Sequence, residues 1–183
     1  MHVLDGLRKE HDIIGRAFGS MEAQLRSIEN AQGPVLEFLQ RIVDFLDTYA
    51  ARSYFAREDE IIHDPLLDRV TAPMDRKLIT RQKADHHQQL EQIEKTIQAA
   101  SLNEESDDHV AFAGTMLMNI ISLAHKYKEY TERGREEVFP RARSHFKRED
   151  WERIRIQFNS IVAPDHFANL EKFCICLEEN RLK

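Results

Sequence analysis

Apolar residues recur at steps of three and four along most of the chain, the spacing that places side chains on one face of an α-helix. The first such stripe predicts a helix over about residues 3–29, with His11 lying among its apolar members. The segment NAQGP interrupts the pattern. Pro34 suits the first turn of a second helix, which is expected to end near Pro65.

Two more long helices are predicted after this point. The third begins after Pro73 and carries His86 within its stripe, and the fourth follows the acidic segment SLNEESDD and ends at Pro140. Shorter periodic segments cover about residues 149–162 and 165–182. Four long amphipathic helices with short connections predict an all-α fold, an up-down-up-down four-helix bundle, because each stripe must be buried against the others.

The composition agrees with long helices in a single bundle. The chain has 183 residues, 42% of them hydrophobic and 32% charged, with only 6 glycines and 5 prolines to interrupt helices. We assign residues 1–145 to the bundle and residues 146–183 to a C-terminal helical extension packed on it. This extension is expected to cap or flank the bundle or to form a homodimer contact.

Charge and hydropathy exclude two classes of partner. A net charge of −6 disfavours nucleic acid, which needs a basic surface. No stretch approaches the ~20 apolar residues of a membrane span, and the start of the chain lacks a signal-peptide apolar region, so a cytoplasmic location is expected. Cys174 and Cys176 point in different directions on a helix and are interpreted as small buried hydrophobic residues.

Histidines inside the apolar stripes are the candidate metal-binding residues of the chain. One such residue is more often a hydrogen-bonded core residue, but His11 and His86 lie on different helices of one bundle, where metal sites are built from facing side chains. Two pairs with the spacing H-x-x-x-E are placed on the solvent-facing sides of their helices. These pairs are His87 with Glu91 and His125 with Glu129. The remaining histidines fall near helix ends or in loops and receive no role: His2, His63, His109, His145 and His166.

Glu58 is a candidate carboxylate whose direction the periodicity leaves open. It shares a helix face with Tyr54, but a straight continuation of the second stripe would centre on Ser53 and Arg57. Either the helix drifts or bulges near Arg52 and turns Glu58 inward, or Glu58 lies at the surface.

Four segments in the order LRKEHDII, YAARSYFAREDEI, KADHHQQLEQ and YTERGREEVFP resemble the hemerythrin-like, or HHE cation-binding, family. The resemblance covers about residues 1–145 and implies a four-helix bundle around a non-haem di-iron centre. The family motif has a histidine on helix 1, H-x-x-x-E on helix 2 and an acidic-His pair on helix 3. Helix 4 carries H-x-x-x-E or H-x-x-x-x-D before an LFP-like end.

The resemblance implies ligand roles for His11, Glu58 and His86, which match three of the six motif positions. Tyr54 and Tyr130 stand where the histidines of helices 2 and 4 belong. Gly134 stands in place of the last carboxylate. The chain is thus similar to the family but departs from its standard di-iron pattern.

The three matching residues permit more than one chemistry. Two histidines and one carboxylate are the ligands of mononuclear non-haem iron(II) sites, and tyrosine is an anionic ligand suited to ferric iron. Tyr54 and Tyr130 would then be additional ligands of mono- or dinuclear iron or another divalent metal. Alternatively, their phenols hydrogen-bond to His11, His86 or Glu58 in a polar network that excludes metal.

The resemblance implies a role in sensing or detoxifying oxygen, nitric oxide or peroxide, or in iron handling, with a small diatomic or peroxide ligand. The alternative is a metal-free bundle that serves as a structural or protein-interaction module. An enzyme, such as a peroxide-consuming non-haem iron oxidoreductase, is a third hypothesis, and no catalytic residues are assigned. No nucleophile triad, Gly-rich phosphate loop or CxxC motif competes with these hypotheses.

Overall fold

The computed structural model describes residues 2–28, 35–48, 56–103, 109–163 and 165–179, and all regular structure in these ranges is helical. The helices are α1 (Val3–Ile28), α2 (Val35–Phe45), α3 (residues 56–69), α4 (Pro73–Asn103), α5 (residues 109–145), α6 (Arg148–Ile161) and α7 (His166–Glu179). The predicted all-α fold is confirmed. No helix within the described ranges combines the length and apolar character needed to cross a membrane.

Helices α3 and α5 each contain one turn of π-helix in the middle of a continuous helical run. In α3 the turn is Asp59–His63, and in α5 it is Gly134–Val138. A π turn accommodates one more residue per turn than an α-helix and so changes which side chains share a face. Both turns lie at the level where the polar side chains described below enter the core.

The π turns also correct two predicted helix ends. The sequence pattern ended the second and fourth helices at Pro65 and Pro140, but α3 continues to Arg69 and α5 to His145. Each proline occupies the first positions of the α-helical segment that follows its π turn. A proline lacks a backbone N–H. It is tolerated there because the hydrogen-bond pattern changes at the junction, so fewer backbone hydrogen bonds depend on that N–H.

Helix α5 makes its most extensive contact with α1 and also packs against α4. Helix α2 contacts both α4 and α5, and α7 packs along α1. Helix α6 contacts the π turn of α3 and the start of α1. The C-terminal helices therefore lie against the predicted bundle helices, while the division into a bundle and an extension stays a prediction.

Two apolar clusters form the core, and α1, α4 and α5 contribute to both. The first cluster takes residues from the second half of α1, from α2, from the first part of α5 and from α7, including Phe18, Phe45, Ile120 and Leu170. The second cluster lies at the other end and takes residues from the start of α1, from α3, from the end of α5 and from α6, including Leu4, Ile62, Phe139 and Phe158. In α7, Cys174 is buried as predicted, whereas Cys176 is exposed, which the sequence analysis did not expect.

A layer of buried polar side chains separates the two clusters along the chain. In α1, His11 lies between Leu7 of the second cluster and Ile14 of the first. In α4, His86 lies in the same way between Ile79 and Ile93. The two histidines that interrupt the apolar stripes therefore lie at the boundary between the cores.

Candidate metal centre

The π turn of α3 brings three acidic and imidazole side chains into the polar layer. Glu58 and His63 have no exposed surface, and Asp59 is 9% exposed. Glu58 Oε1 lies 3.9 Å from His63 Nε2, although the two residues are five positions apart and would diverge on an α-helix. His63 Nδ1 lies 2.7 Å from Asp59 Oδ1, four positions earlier.

His86 of α4 completes this group from the facing helix. Its ring has no exposed surface, and its Nδ1 lies 3.0 Å from Asp59 Oδ2. One donor atom from each of Asp59, His63 and His86 lies within 4.8 Å of the other two, and all three residues are buried. Among the described residues, this is the group of histidine and carboxylate side chains with the spacing of a metal site.

The Asp59 carboxylate is held in its ionised form. Its burial alone would raise its pKa, but hydrogen bonds and charge interactions with His63 and His86 outweigh burial and hold the pKa well below its usual range. Because an ionised carboxylate only accepts, His63 Nδ1 is the donor of their hydrogen bond. His63 Nε2 is buried and makes no hydrogen bond, so its lone pair is available to bind a metal ion.

Glu58 joins this group to α1 and α5. Its Oε2 accepts a hydrogen bond from the Tyr130 hydroxyl at 2.8 Å and lies 3.5 Å from His11 Nε2. Burial, together with the charge of Glu58 and the hydrogen bond to it, raises the pKa of Tyr130 well above the usual value. In the absence of a cation, Tyr130 is therefore a neutral phenol that donates to a carboxylate.

Gly134 leaves room for a glutamine at the edge of this layer. A Cβ at Gly134 would lie 3.4 Å from Gln82 Nε2 and 4.0 Å from His11 Cε1. Gln82 is fully buried, and its amide donates to the backbone carbonyl of Tyr130 at 2.9 Å. A longer side chain at position 134 would displace Gln82, so the glycine belongs to the local packing of the layer.

A second buried ion cluster adjoins the first through neighbouring residues in the sequence. Arg57 Nη2 donates to Glu10 Oε1 at 2.5 Å, and His166 of α7 contacts the same oxygen. Glu10 and Arg57 precede His11 and Glu58, respectively, so adjacent positions of the same helical turns hold this ion pair. The cluster fixes α1, α3 and α7 to one another beside the candidate centre.

The structure brings four of the five predicted site residues into one layer. His11 is 2% exposed, and Glu58, His86 and Tyr130 are fully buried. Tyr54 lies outside the described residues. The inward direction of Glu58, left open by the periodicity, follows from the π turn that begins one residue later. Metal binding by these residues stays a prediction.

His63 and Asp59 were missed by the sequence reasoning. His63 was assigned to a helix end because Pro65 was expected to stop the helix, and Asp59 was not considered. The available signal was the four-residue spacing of Asp59 and His63, which places both on one helical face. His166 received no role either and is 9% exposed in contact with Glu10.

The two pairs placed on solvent-facing sides do lie there. The side chains of His125 and Glu129 are 72% and 61% exposed, and they pair with each other at 3.3 Å. His87 is 62% exposed, although its Nε2 lies 3.6 Å from Asp59 Oδ2 at the rim of the layer. The imidazole next to the candidate centre is therefore accessible to water, unlike that of His86.

Comparison with known proteins found no family model, curated protein or solved structure that matches this chain. The resemblance to hemerythrin-like proteins stays a prediction from the four sequence segments.

Proposed function

We propose that this protein binds a non-haem iron or another divalent metal ion in the polar layer, between α3 and α4. The observation that carries the proposal is the buried group of Asp59, His63 and His86, with donor atoms within 4.8 Å of one another. Two imidazoles and one carboxylate suit iron(II), which keeps open coordination positions with such ligands. A buried imidazole nitrogen without a hydrogen bond, His63 Nε2, fits the same assignment.

Glu58 and His11 supply further donors beside the first group. The Glu58 carboxylate lies between His63 and His11, at 3.9 and 3.5 Å from their Nε2 atoms, so it can serve an ion on either side. The proposed set therefore replaces the predicted trio of His11, Glu58 and His86 with a core of Asp59, His63 and His86. Uptake of one ion would indicate a mononuclear centre, and uptake of two ions would indicate a dinuclear centre.

The proposal includes the remodelled hemerythrin-like bundle expected from the sequence. In this bundle, α1 runs up, α2 and α3 together run down, α4 runs up and α5 runs down. The packing of α5 against α1 and α4 supports this order. The functions that suit such a centre are the handling of iron and the sensing or detoxification of oxygen, nitric oxide or peroxide. The homodimeric, cytoplasmic state expected from the sequence belongs to the same proposal, and turnover as a non-haem iron oxidoreductase stays a separate hypothesis.

The test is metal analysis of protein expressed with added iron and never exposed to chelator, followed by anaerobic titration of metal-free protein with ferrous iron. We expect about one or two equivalents of iron. The substitutions Asp59→Asn, His63→Gln and His86→Gln should each weaken binding by at least about tenfold, because even the loss of a residue that only hydrogen-bonds to a metal ligand reaches that size. His125→Gln, on the solvent-facing side of α5, is the matched control and should bind as tightly as the wild type.

Wild-type protein that takes up no iron, manganese or zinc would overturn the proposal. It would favour the metal-free alternative, for which the hydrogen bonds within the layer provide support: Tyr130 donates to Glu58, and His63 donates to Asp59. In that case a His63→Gln, His86→Gln double variant should leave partner binding unchanged and should alter only stability.

A further inference from the structure

A cleft of about 360 Å³ opens between α1 and α5 and reaches the polar layer at His11. Its walls include Gly15 and Gly19 of α1 and Ala124 of α5, and its floor is formed by His11 and Tyr127. Both floor residues are only 2% exposed. The cleft therefore ends on the outer face of His11, whose Nε2 lies 3.5 Å from Glu58 on the inner side.

The two glycines keep the cleft open. A Cβ at Gly15 or at Gly19 would meet no atom within 4 Å, so both positions border open space and not a packed neighbour. They lie one helical turn apart and face Ala124, a third small side chain. A larger side chain at position 15 or 19 would fill the cleft without displacing any core residue.

Charge at the mouth of the cleft is balanced. Arg135 Nη2 donates to Asp12 Oδ1 at 2.6 Å, and Lys128 Nζ lies 3.9 Å from Glu132 Oε1, so two cations and two anions offset each other. Deeper in, a ligand passes aromatic rings and then meets the Glu58 carboxylate. An anion would lose its hydration among the rings, whereas a small uncharged molecule meets no such cost.

We propose that this cleft is the route by which a small uncharged molecule reaches the proposed metal centre, with Tyr127 as its gate. The inference rests on the proposed function for its destination, but the cleft itself can be tested without metal. The two floor rings lie edge to face with centroids 6.2 Å apart and cover the layer, so passage requires a rotation of the Tyr127 side chain.

The first test uses metal-free protein and dissolved dioxygen as a paramagnetic probe in NMR. We expect selective broadening of the methyl signals of Ala124 and Thr131, which line the cleft. Broadening should disappear in Gly15→Leu and Gly19→Leu and remain in Gly114→Leu. Gly114 is the matched control because it is also a helical glycine with open space around it but lies outside the cleft. Equal broadening in wild type and Gly15→Leu would overturn the inference.

The second test measures how fast nitric oxide or azide binds to the anaerobic ferrous protein. Gly15→Leu should slow nitric oxide binding by at least about tenfold at unchanged iron content, and Gly114→Leu should not slow it. Azide should bind more slowly than nitric oxide. Its rate should rise in Glu132→Gln, which removes one negative charge from the mouth, while the nitric oxide rate stays the same.

These outcomes separate the two proposals. Protein that binds no iron overturns the proposed function, and the dioxygen experiment still decides whether the cleft admits small molecules. Iron-loaded Gly15→Leu protein that binds nitric oxide at the wild-type rate overturns the route alone. Thermal unfolding of the three leucine variants verifies that they fold, which is expected because leucine favours a helix more than glycine does.

Discussion

Removal of the Tyr130 hydroxyl should measure how strongly the polar layer depends on its contact with Glu58. Tyr130→Phe deletes one oxygen that donates to Glu58 Oε2 at 2.8 Å, in a site where both side chains are fully buried. A hydrogen bond to a charged group contributes about 1.5–3 kcal/mol, so the free energy of unfolding of the metal-free protein should fall by about that amount. For a chain of this size, the melting temperature should decrease by about 3–12 °C.

Tyr127→Phe is the matched control, since it lies on the same helix and is also buried. Its hydroxyl contacts the backbone carbonyl of His11 at 3.5 Å, a long and neutral interaction, so its loss should cost less than about 1 kcal/mol. Urea unfolding followed by circular dichroism measures both variants. Equal losses for the two variants, or no loss for Tyr130→Phe, would refute the role given to the Glu58 contact.

Three other substitutions test separate parts of the structure by the same unfolding assay. Asp150→Ala should cost about 1–2 kcal/mol, because this side chain caps α6 by accepting from the Lys147 N–H, and exposed Glu149→Ala should cost little. The hydrogen bonds lower the pKa of Asp150, so its contribution is present above the unfolded value of about 3.9 and should be lost as the pH falls through the folded pKa. A loss that persists unchanged in acid would contradict this account. Arg57→Met should cost about 3–5 kcal/mol, because it leaves the Glu10 carboxylate buried without its cation, and a smaller cost would mean that His166 alone compensates. Gly134→Ala should be neutral or stabilising by up to about 1 kcal/mol, whereas Gly134→Glu should destabilise by displacing Gln82, and a stable Glu variant would contradict that packing.

The hydrophobic pattern predicted the helices well because burial of a stripe depends on residues that are close in sequence. The histidines at positions 11 and 86 are buried together with the apolar members of the first stripe, which are Leu4, Leu7, Ile14, Phe18, Met21 and Leu25. A period of 3.6 residues is a local property of the chain, so it is legible without any knowledge of the neighbouring helices. The same pattern gave the inward direction of both histidines.

The pattern failed where a helix departs from that period. Two π turns carry the helices through Pro65 and Pro140, which a strict α-helical reading treats as stops. The extra residue in the first turn rotates Glu58 and His63 into the core together. Sequence reasoning therefore left Glu58 undecided and gave His63 no role, although it is one of the most buried histidines described.

The sequence by itself determined that this protein is helical, where its apolar stripes lie, and which histidines interrupt them, because these properties follow from spacing along a single helix. Only the tertiary structure decided that Asp59, His63 and His86 converge, that Tyr130 donates to Glu58, and that His166 reaches Glu10. Those contacts join residues from different helices, and their geometry depends on a π turn and on how the helices pack. A one-residue change in helical register moves a side chain between core and solvent, so periodicity alone cannot specify the donor set.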